Sequence, residues 1–507
     1  MKKLKYFKIF LYVAIFGLLF FRAINFIDPD FGWHLATGNL ILKSGFPKTD
    51  PFSYTMPTFS FIEHEWLVDV IFAKIYPVAG LFGVSVLFSA LFLLSVFVAV
   101  LKAKKIKTAL FIIAVSCLLP FFSNSPKIFS WLLFSLFTFS VLSKSYWKKH
   151  WLLTPFIIVL WTNLHGSFPL ALVILSVVVI SVSLREKRVW FKGVLATILG
   201  FLATFVNPYG GRIWWIVWLT ISDPSISSRI AEWQPTYLNP FAFSILGILL
   251  FVISVVFILK YKHKFKTEEL ILNLLFFIQA VLVVRNIPYW VLINIPMVGS
   301  AIKHFSDEFG KNKIGKKRLE IAGKRLLVLT LILFGVQSMT LIYFNLNNLK
   351  EDLFYPKGAV SYLKNNLPAG QVYSVYNWGG YLIWKLPEKK VFNYGMMPVW
   401  RREGASVDES SNALDDSLGI LSGEKEYKNI FEKYKIDTVL LPVFTHKNPL
   451  IEFVKKTTSF PKTAQDQEFF SLYEELIKDG WARVYLDGSS VILKKPISSS
   501  FLRVLMV

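Results

Sequence analysis

The chain has 507 residues, 54% of them hydrophobic, and its mean hydropathy is +0.50, which excludes an ordinary soluble globular protein. Its formal net charge of +23 would suit a nucleic-acid binder, but no basic patch coincides with a nucleic-acid fold motif. The single cysteine, Cys117, excludes an internal disulfide.

The N-terminal "MKKLKYFK" resembles a signal-peptide n-region. No small-residue cleavage site follows, so residues 9–27 are expected to remain as a first membrane helix. A polar segment leads from there into "HEWLVDVIFAKIY", which reads as an amphipathic helix lying on the membrane surface. Further spans are expected at 78–101, 108–122, 128–142, 151–164, 167–184, 191–206, 241–259, 270–284, 287–302 and 326–345, with the aromatic "IWWIVWLTIS" at an interface. With the N-terminus inside, "KAKKIK", "SKSYWKKH", "REKR", "KYKHKFK" and "KNKIGKKR" all fall on the cytoplasmic side, as the positive-inside bias demands. That alternation supports a count of about eleven spans and accounts for the net charge without nucleic acid.

The same alternation places Asp28, Asp30, His34, Glu63, His64, Glu65, Lys127, Asn163, His165, Asn207, Arg212, Asp223, Arg229, Glu232, Arg285 and Asn286 on the outer side. Several spans bearing them run about 14–16 residues, against roughly 20 needed to cross. Turns such as "SNSPK" and "NLHGS" should then lie below the outer surface, where irregular backbone is tolerated beside water or inside protein. One outward-facing polar cavity, floored by these turns, is the expected result.

Asp28 and Asp30 follow the first span by about one helical turn. Two close carboxylates can hold a divalent cation, magnesium or manganese, or one can act as general base while the other tunes it. The plainer reading is that they cap a helix at the headgroup level. Glu63, His64 and Glu65 add a second acidic group in the same first external loop, 28–66. His34, His64 and His165 offer nitrogen ligands, but their spacing matches no zinc signature, which favours orienting roles. Lys127, Arg212, Arg229 and Arg285 are the scarce external cations and suit a clamp for a lipid-linked phosphate. The alternative is pairing with Asp223 and Glu232, or snorkelling, which is expected of Arg22. Trp233 in "EWQP" can stack on a sugar or populate the interface.

After residue 345 the composition turns to mixed charge. Helices are expected at "YPKGAVSYLKNN", "YKNIFEKYK" and "DQEFFSLYEELIKDG", and strands at "QVYSVY", "KVFNYG", "DTVLLPV" and "SSVILKK". The expected fold is therefore an α-helical polytopic membrane domain, 1–345, followed by an extracytoplasmic α/β domain, 346–507. The glycine pair of "YNWGGYLIW" reads as close backbone packing beside a strand. No Walker A loop, GxSxG elbow or HExxH helix is present, which disfavours an ATP-driven pump, a serine hydrolase and a zincin.

The basic N-terminus, single span and acidic motif opening a long external loop with a surface helix resemble the GT-C superfamily of membrane glycosyltransferases, which includes protein O-mannosyltransferases and bacterial aminoarabinose transferases. "DPDFGWHLATG", "DPFSYT", "EHEWL", "NLHGSF", "NPYG", "EWQP" and "YNWGGYLIW" also look like a set of bacterial multi-pass proteins of that architecture. The resemblance implies transfer of a sugar from a polyprenyl-phosphate donor to an envelope lipid, glycan or protein. It implies that Asp30 or Asp28 acts at the acceptor hydroxyl, with Asp30 favoured because it precedes the Trp-His pair. The motif departs from the common "DE" form. Two other readings stay open: a transporter or flippase of a lipid-linked glycan, which would need polar residues through both leaflets, and a non-catalytic anchor for the tail.

Overall fold

The computed structural model describes residues 2–101, 106–183, 187–223, 226–238, 245–443 and 464–496. Parts of "KAKKIK" (102–105) and "REKR" (185–186), and the start of the expected span at 241–244, lie outside the described residues. Contacts divide the chain into two units, Met1–Asn25 with Ile62–Asn345, and Phe26–Phe61 with Leu346–Val507.

The first unit is helical. Apolar runs with few breakers become the helices Lys2–Asn25, Trp66–Ala99, Lys107–Leu118, Lys127–Val141, Leu153–Leu164, Pro169–Ser183, Lys187–Ala203, Ile245–Lys260, Thr267–Leu282, Ile287–Phe309 and Lys313–Asn348. These follow the expected spans closely. Three of them, Tyr6–Asn25, Trp66–Ala99 and Lys313–Asn348, are long and apolar enough to cross a membrane by length and composition, and six more are shorter apolar helices. The expected surface helix and second span are two helices within Trp66–Ala99, separated by a kink where Gly80 takes φ 57° and ψ −156°. Only glycine enters that region without strain, and Pro77 has already weakened the ladder there.

The core of this unit is aromatic. Phe72 stacks on Phe88 at 5.3 Å, and Phe92 meets Trp131 edge-on at 5.9 Å, locking the Trp66–Ala99 helix to Lys127–Val141. Many large apolar side chains, among them Phe10, Phe156 and Ile221, stay exposed. A hydrocarbon environment covers such a surface without penalty.

The second unit carries a four-stranded sheet in the order β1 (Gln371–Ser374), β2 (Ile436–Pro442), β4 (Ser490–Lys494), β3 (Ala482–Leu486). β1 runs parallel to β2, with Val372 opposite Thr438; β2 and β4 are antiparallel, with Val439 opposite Leu493, and β3 is antiparallel to β4. The three expected tail helices are present as Lys357–Asn365, Tyr427–Lys433 and Ala464–Lys478. One expectation fails: "KVFNYG" is not a strand; only Val391 bridges, to Ser53. The close backbone packing expected of "YNWGGYLIW" is present, with Gly379 against Asn393 O and Gly380 against Pro29 O, and the stretch is a 3-10 turn leading into the helix Gly379–Lys385.

That failure has a cause: the chain from Phe26 to Phe61 is woven into this unit. The Thr55 hydroxyl donates to Phe392 O at 2.6 Å, the Tyr54 hydroxyl to Val372 O at 3.0 Å, and Ser410 N to Thr55 O at 2.8 Å. Asp50 of "DPFSYT" accepts from Phe52 N, Ser53 N and the Tyr394 hydroxyl, each at 3.0 Å. Backbone groups that a ladder would have used are satisfied by this loop.

Candidate active site

The acidic opening motif belongs to the second unit. A helix forms over Phe31–Ser44, with Asp30 at its N-cap. Asp28 is buried, and its Oδ1 accepts the backbone N–H of Asp30 at 3.0 Å, an Asx turn that ends the first long helix and starts the next. The plain capping role thus falls to Asp28. Asp30 is half-buried and does not cap its own helix; its Oδ1 accepts the Trp33 indole N–H at 2.9 Å. His34 is buried and stacks on Trp33 at 3.7 Å between ring centroids. Burial, then the charges of Asp28 and Asp30, push the Tyr355 phenol well up, keeping it a neutral donor to Ile27 O at 2.9 Å.

In the first unit, Glu63, His64, Glu65 and His165 come together. Glu63 is buried and its Oε1 accepts Glu65 N at 2.7 Å. Glu65 Oε1 lies 3.3 Å from His165 Nε2 and 3.6 Å from His64 Nε2. His165 Nδ1 accepts the backbone N–H of Ser167 at 3.1 Å, which places the ring proton on Nε2 and directs it to Glu65. The Ser167 hydroxyl continues the chain, donating to Ser130 at 2.7 Å and accepting from Tyr289 at 3.0 Å. Burial, then the charge of Arg285, pushes the His64 imidazole down to about 4, so it is neutral at physiological pH.

Around Arg285 a second group assembles. Its guanidinium lies over Trp233, 4.6 Å from the ring centroid. Surrounding protein would push the exposed Glu232 carboxyl up, but Arg285 and then Lys127 outweigh this and hold it below the usual range. Neither Lys127 nor Arg285 makes a direct ion pair among the described residues.

Other expected site residues have different surroundings. Arg229 lies 3.7 Å from Asp223, as the pairing alternative anticipated. Asn163 donates to Val159 O and Val206 O and accepts the Trp66 indole N–H at 2.7 Å. Asn207 donates to Thr204 O and Gly210 O and accepts Tyr209 N. These amides hold the turns of "NLHGS" and "NPYGGR". Arg212 is exposed in the latter turn. Arg22 does not snorkel: it is buried, donating to Phe122 O at 2.9 Å, Pro120 O at 3.1 Å and Asn345 Oδ1 at 3.4 Å. A buried turn with bare carbonyls nearby outcompetes the headgroups for its fork of donors.

No family model matches this sequence, and no curated protein is found similar to it. Among solved structures, the chain is similar to ArnT from Cupriavidus metallidurans in the apo state, with TM-score 0.54 and 11% identity over 98% of this chain and 100% of that one. The chain has the GT-C fold. An apo oligosaccharyltransferase from Archaeoglobus fulgidus aligns with TM-score 0.44 and 12% identity over 86% of this chain and 70% of that one, so the GT-C assignment rests on ArnT. At such identity the GT-C likeness is one of fold, and residue roles are read from the geometry.

The geometry adds residues that the sequence reading passed over. Asp69 is fully buried and lies in the electrostatic field of Glu63 and Glu65. Its signal was a carboxylate inside "WLVDVIF", which is costly at membrane depth and marks a functional group. Burial, then Glu63, pushes the Tyr209 phenol up, keeping it a donor beside these acids. Three neighbouring carboxylates cannot all stay ionised in a dry setting without a shared proton or a cation. Glu63 and Glu65 supply oxygens of the kind a divalent cation takes. His165 fits that role poorly, since its Nε2 proton is directed at Glu65.

Proposed function

We propose that this GT-C chain transfers a sugar from a polyprenyl-phosphate carrier to an acceptor of the cell envelope at the outer face of the membrane. The N-terminus would be cytoplasmic and the second unit extracytoplasmic, with about eleven spans between. The observation that carries this reading is Arg285, held over Trp233 at 4.6 Å from the ring centroid without a direct ion pair, with Lys127 acting beside it on Glu232. An anion of two or more charges, such as a phosphate, is the ligand that satisfies both cations.

In the proposed reaction the acceptor oxygen attacks the anomeric carbon of the sugar with inversion. Its proton passes to Asp30, the carbon–oxygen bond to the phosphate breaks, and the electron pair leaves on the phosphate oxygen. Within the first unit, Arg285 and Lys127 are the cations proposed to hold a phosphate. Asp30 suits the base because it is half-buried, whereas Asp28 is tied to a backbone N–H. Glu65 is the second candidate, since His165 orients its carboxylate as an acid–base residue requires. An apolar groove of about 600 Å³ beside Trp66, Leu160, Phe205 and Val206 suits the isoprenoid chain of the donor.

The test is transfer in membranes supplied with lipid-linked sugar. Asp30→Asn should lose roughly 10²–10⁴-fold in rate, the usual weight of general-base catalysis. Loss in Glu65→Gln with full activity in Asp30→Asn would move the base to Glu65. Full transfer by Asp30→Asn, Asp28→Asn, their double variant and Glu65→Gln would refute the mechanism.

A further inference from the structure

The tail closes on the acidic motif through glycines. Gly395 lies so close to Asp30 that a Cβ on residue 395 would collide with Asp30 Oδ1 and come within 3.0 Å of the Trp33 indole nitrogen. Its φ is not positive, so other residues could adopt its backbone; space alone demands glycine. The pattern repeats around the motif. A Cβ at Gly380 would collide with Pro29 O, one at Gly32 with Gly380 O, and one at Gly379 with Asn393 O. The Tyr376 hydroxyl donates to Gly395 O at 3.4 Å, which fixes the height of that strand of backbone. At the same oxygen, the buried Trp33 indole gives its N–H to Oδ1, and its ring meets Tyr394 edge-on at 6.0 Å.

We infer that the tail is a structural half of the acidic motif, and that Gly395 and Trp33 are positioning residues that fix the Asp30 carboxylate, one as a steric floor and the other as its N–H donor. This rests on reading Asp30 as the reacting carboxylate, and it assigns the tail a role other than acceptor binding. The backbone floor blocks one direction of approach, and the indole N–H sets the rotation of the carboxylate. Trp33→Phe removes the donor with little change of shape. Gly395→Ala raises the floor into Oδ1.

The experiment uses the full-length protein in detergent, with two readouts. In steady-state transfer, both variants should lose about 10–100-fold in kcat with the KM for the lipid-linked donor unchanged, the consequence of misplacing a reacting group by about 1 Å. In tryptophan-labelled protein, the Trp33 indole N–H resonance is identified by its disappearance in Trp33→Phe. That resonance should move in both Asp30→Asn and Gly395→Ala. Wild-type kcat in both positioning variants while Asp30→Asn is inactive would overturn the inference and leave the base assignment standing. Full activity of Asp30→Asn would defeat the base assignment and with it the catalytic half of the inference; the fixing of the carboxylate then stands if the Trp33 resonance moves in Gly395→Ala and falls if it does not. Should Gly395→Ala fail to fold, Trp33→Phe and the resonance in Asp30→Asn decide by the same criteria.

Discussion

Replacing Arg22 tests the reading of the first unit most sharply. The guanidinium is buried and donates to two backbone carbonyls, Phe122 O at 2.9 Å and Pro120 O at 3.1 Å, and more weakly to Asn345 Oδ1 at 3.4 Å. Asn124 ties the same turn to the first helix, donating to Ala23 O at 2.9 Å. Arg22→Met keeps most of the volume and strands one buried and one part-buried carbonyl, so the loss should be about 3–5 kcal/mol. Arg22→Lys keeps the charge but cannot reach divergent acceptors with a fork, and should recover less than half of that. A unit of this size shifts its midpoint by about 2 °C per kcal/mol, which predicts a fall of about 6–10 °C for Arg22→Met. The assay is heating of detergent-solubilised protein at a fixed rate, followed by size-exclusion chromatography, because such unfolding is irreversible. A midpoint within about 2 °C of wild type would refute the buried role and restore the snorkelling one.

Arg285→Ala should weaken binding of polyprenyl phosphate by at least about tenfold, and Glu232→Gln should tighten it, because the competing carboxylate is gone; microscale thermophoresis reads both. Equal affinities in wild type and Glu232→Gln would contradict a shared anion site. His64 is held down to about 4, against about 6.5 when unfolded, so the unfolded chain takes up a proton that the folded one refuses. Stability should therefore fall by up to about 3 kcal/mol as pH drops from 6.5 to 4, and His64→Gln should flatten that slope. Parallel slopes for the two proteins in thermal scans between those pH values would count against the shift. Gly32→Ala should destabilise the second unit, since its Cβ would collide with Gly380 O; proteolysis within the tail should quicken, and an unchanged rate would rule out the close approach.

Helices of the first unit were legible because each is an apolar run ended by a basic loop or a proline-glycine turn, and both signals are local. What was not legible came from partners distant in sequence. Arg22 looked like a residue near a membrane surface because its partners, Pro120 and Phe122, lie about a hundred residues away. Asp69 was hidden by its apolar neighbours, which set the hydropathy of the window while the one carboxylate carries the chemistry.

The acidic motif shows most plainly what local reading misses. "DPD" offers two equivalent carboxylates, and nothing in three residues separates them. The fold does so through two hydrogen bonds: a backbone N–H takes Asp28, and an indole N–H takes Asp30. A carboxylate that closes an Asx turn cannot leave it without unmaking a helix start, whereas one held by a side chain keeps its geometry tunable. The glycines of "YNWGGYLIW" and "NYG" were visible in the sequence as places where something comes close. Their partner was the opening motif itself, some 350 residues earlier, so the feature that looked like packing in the tail is also the one that distinguishes the two acids.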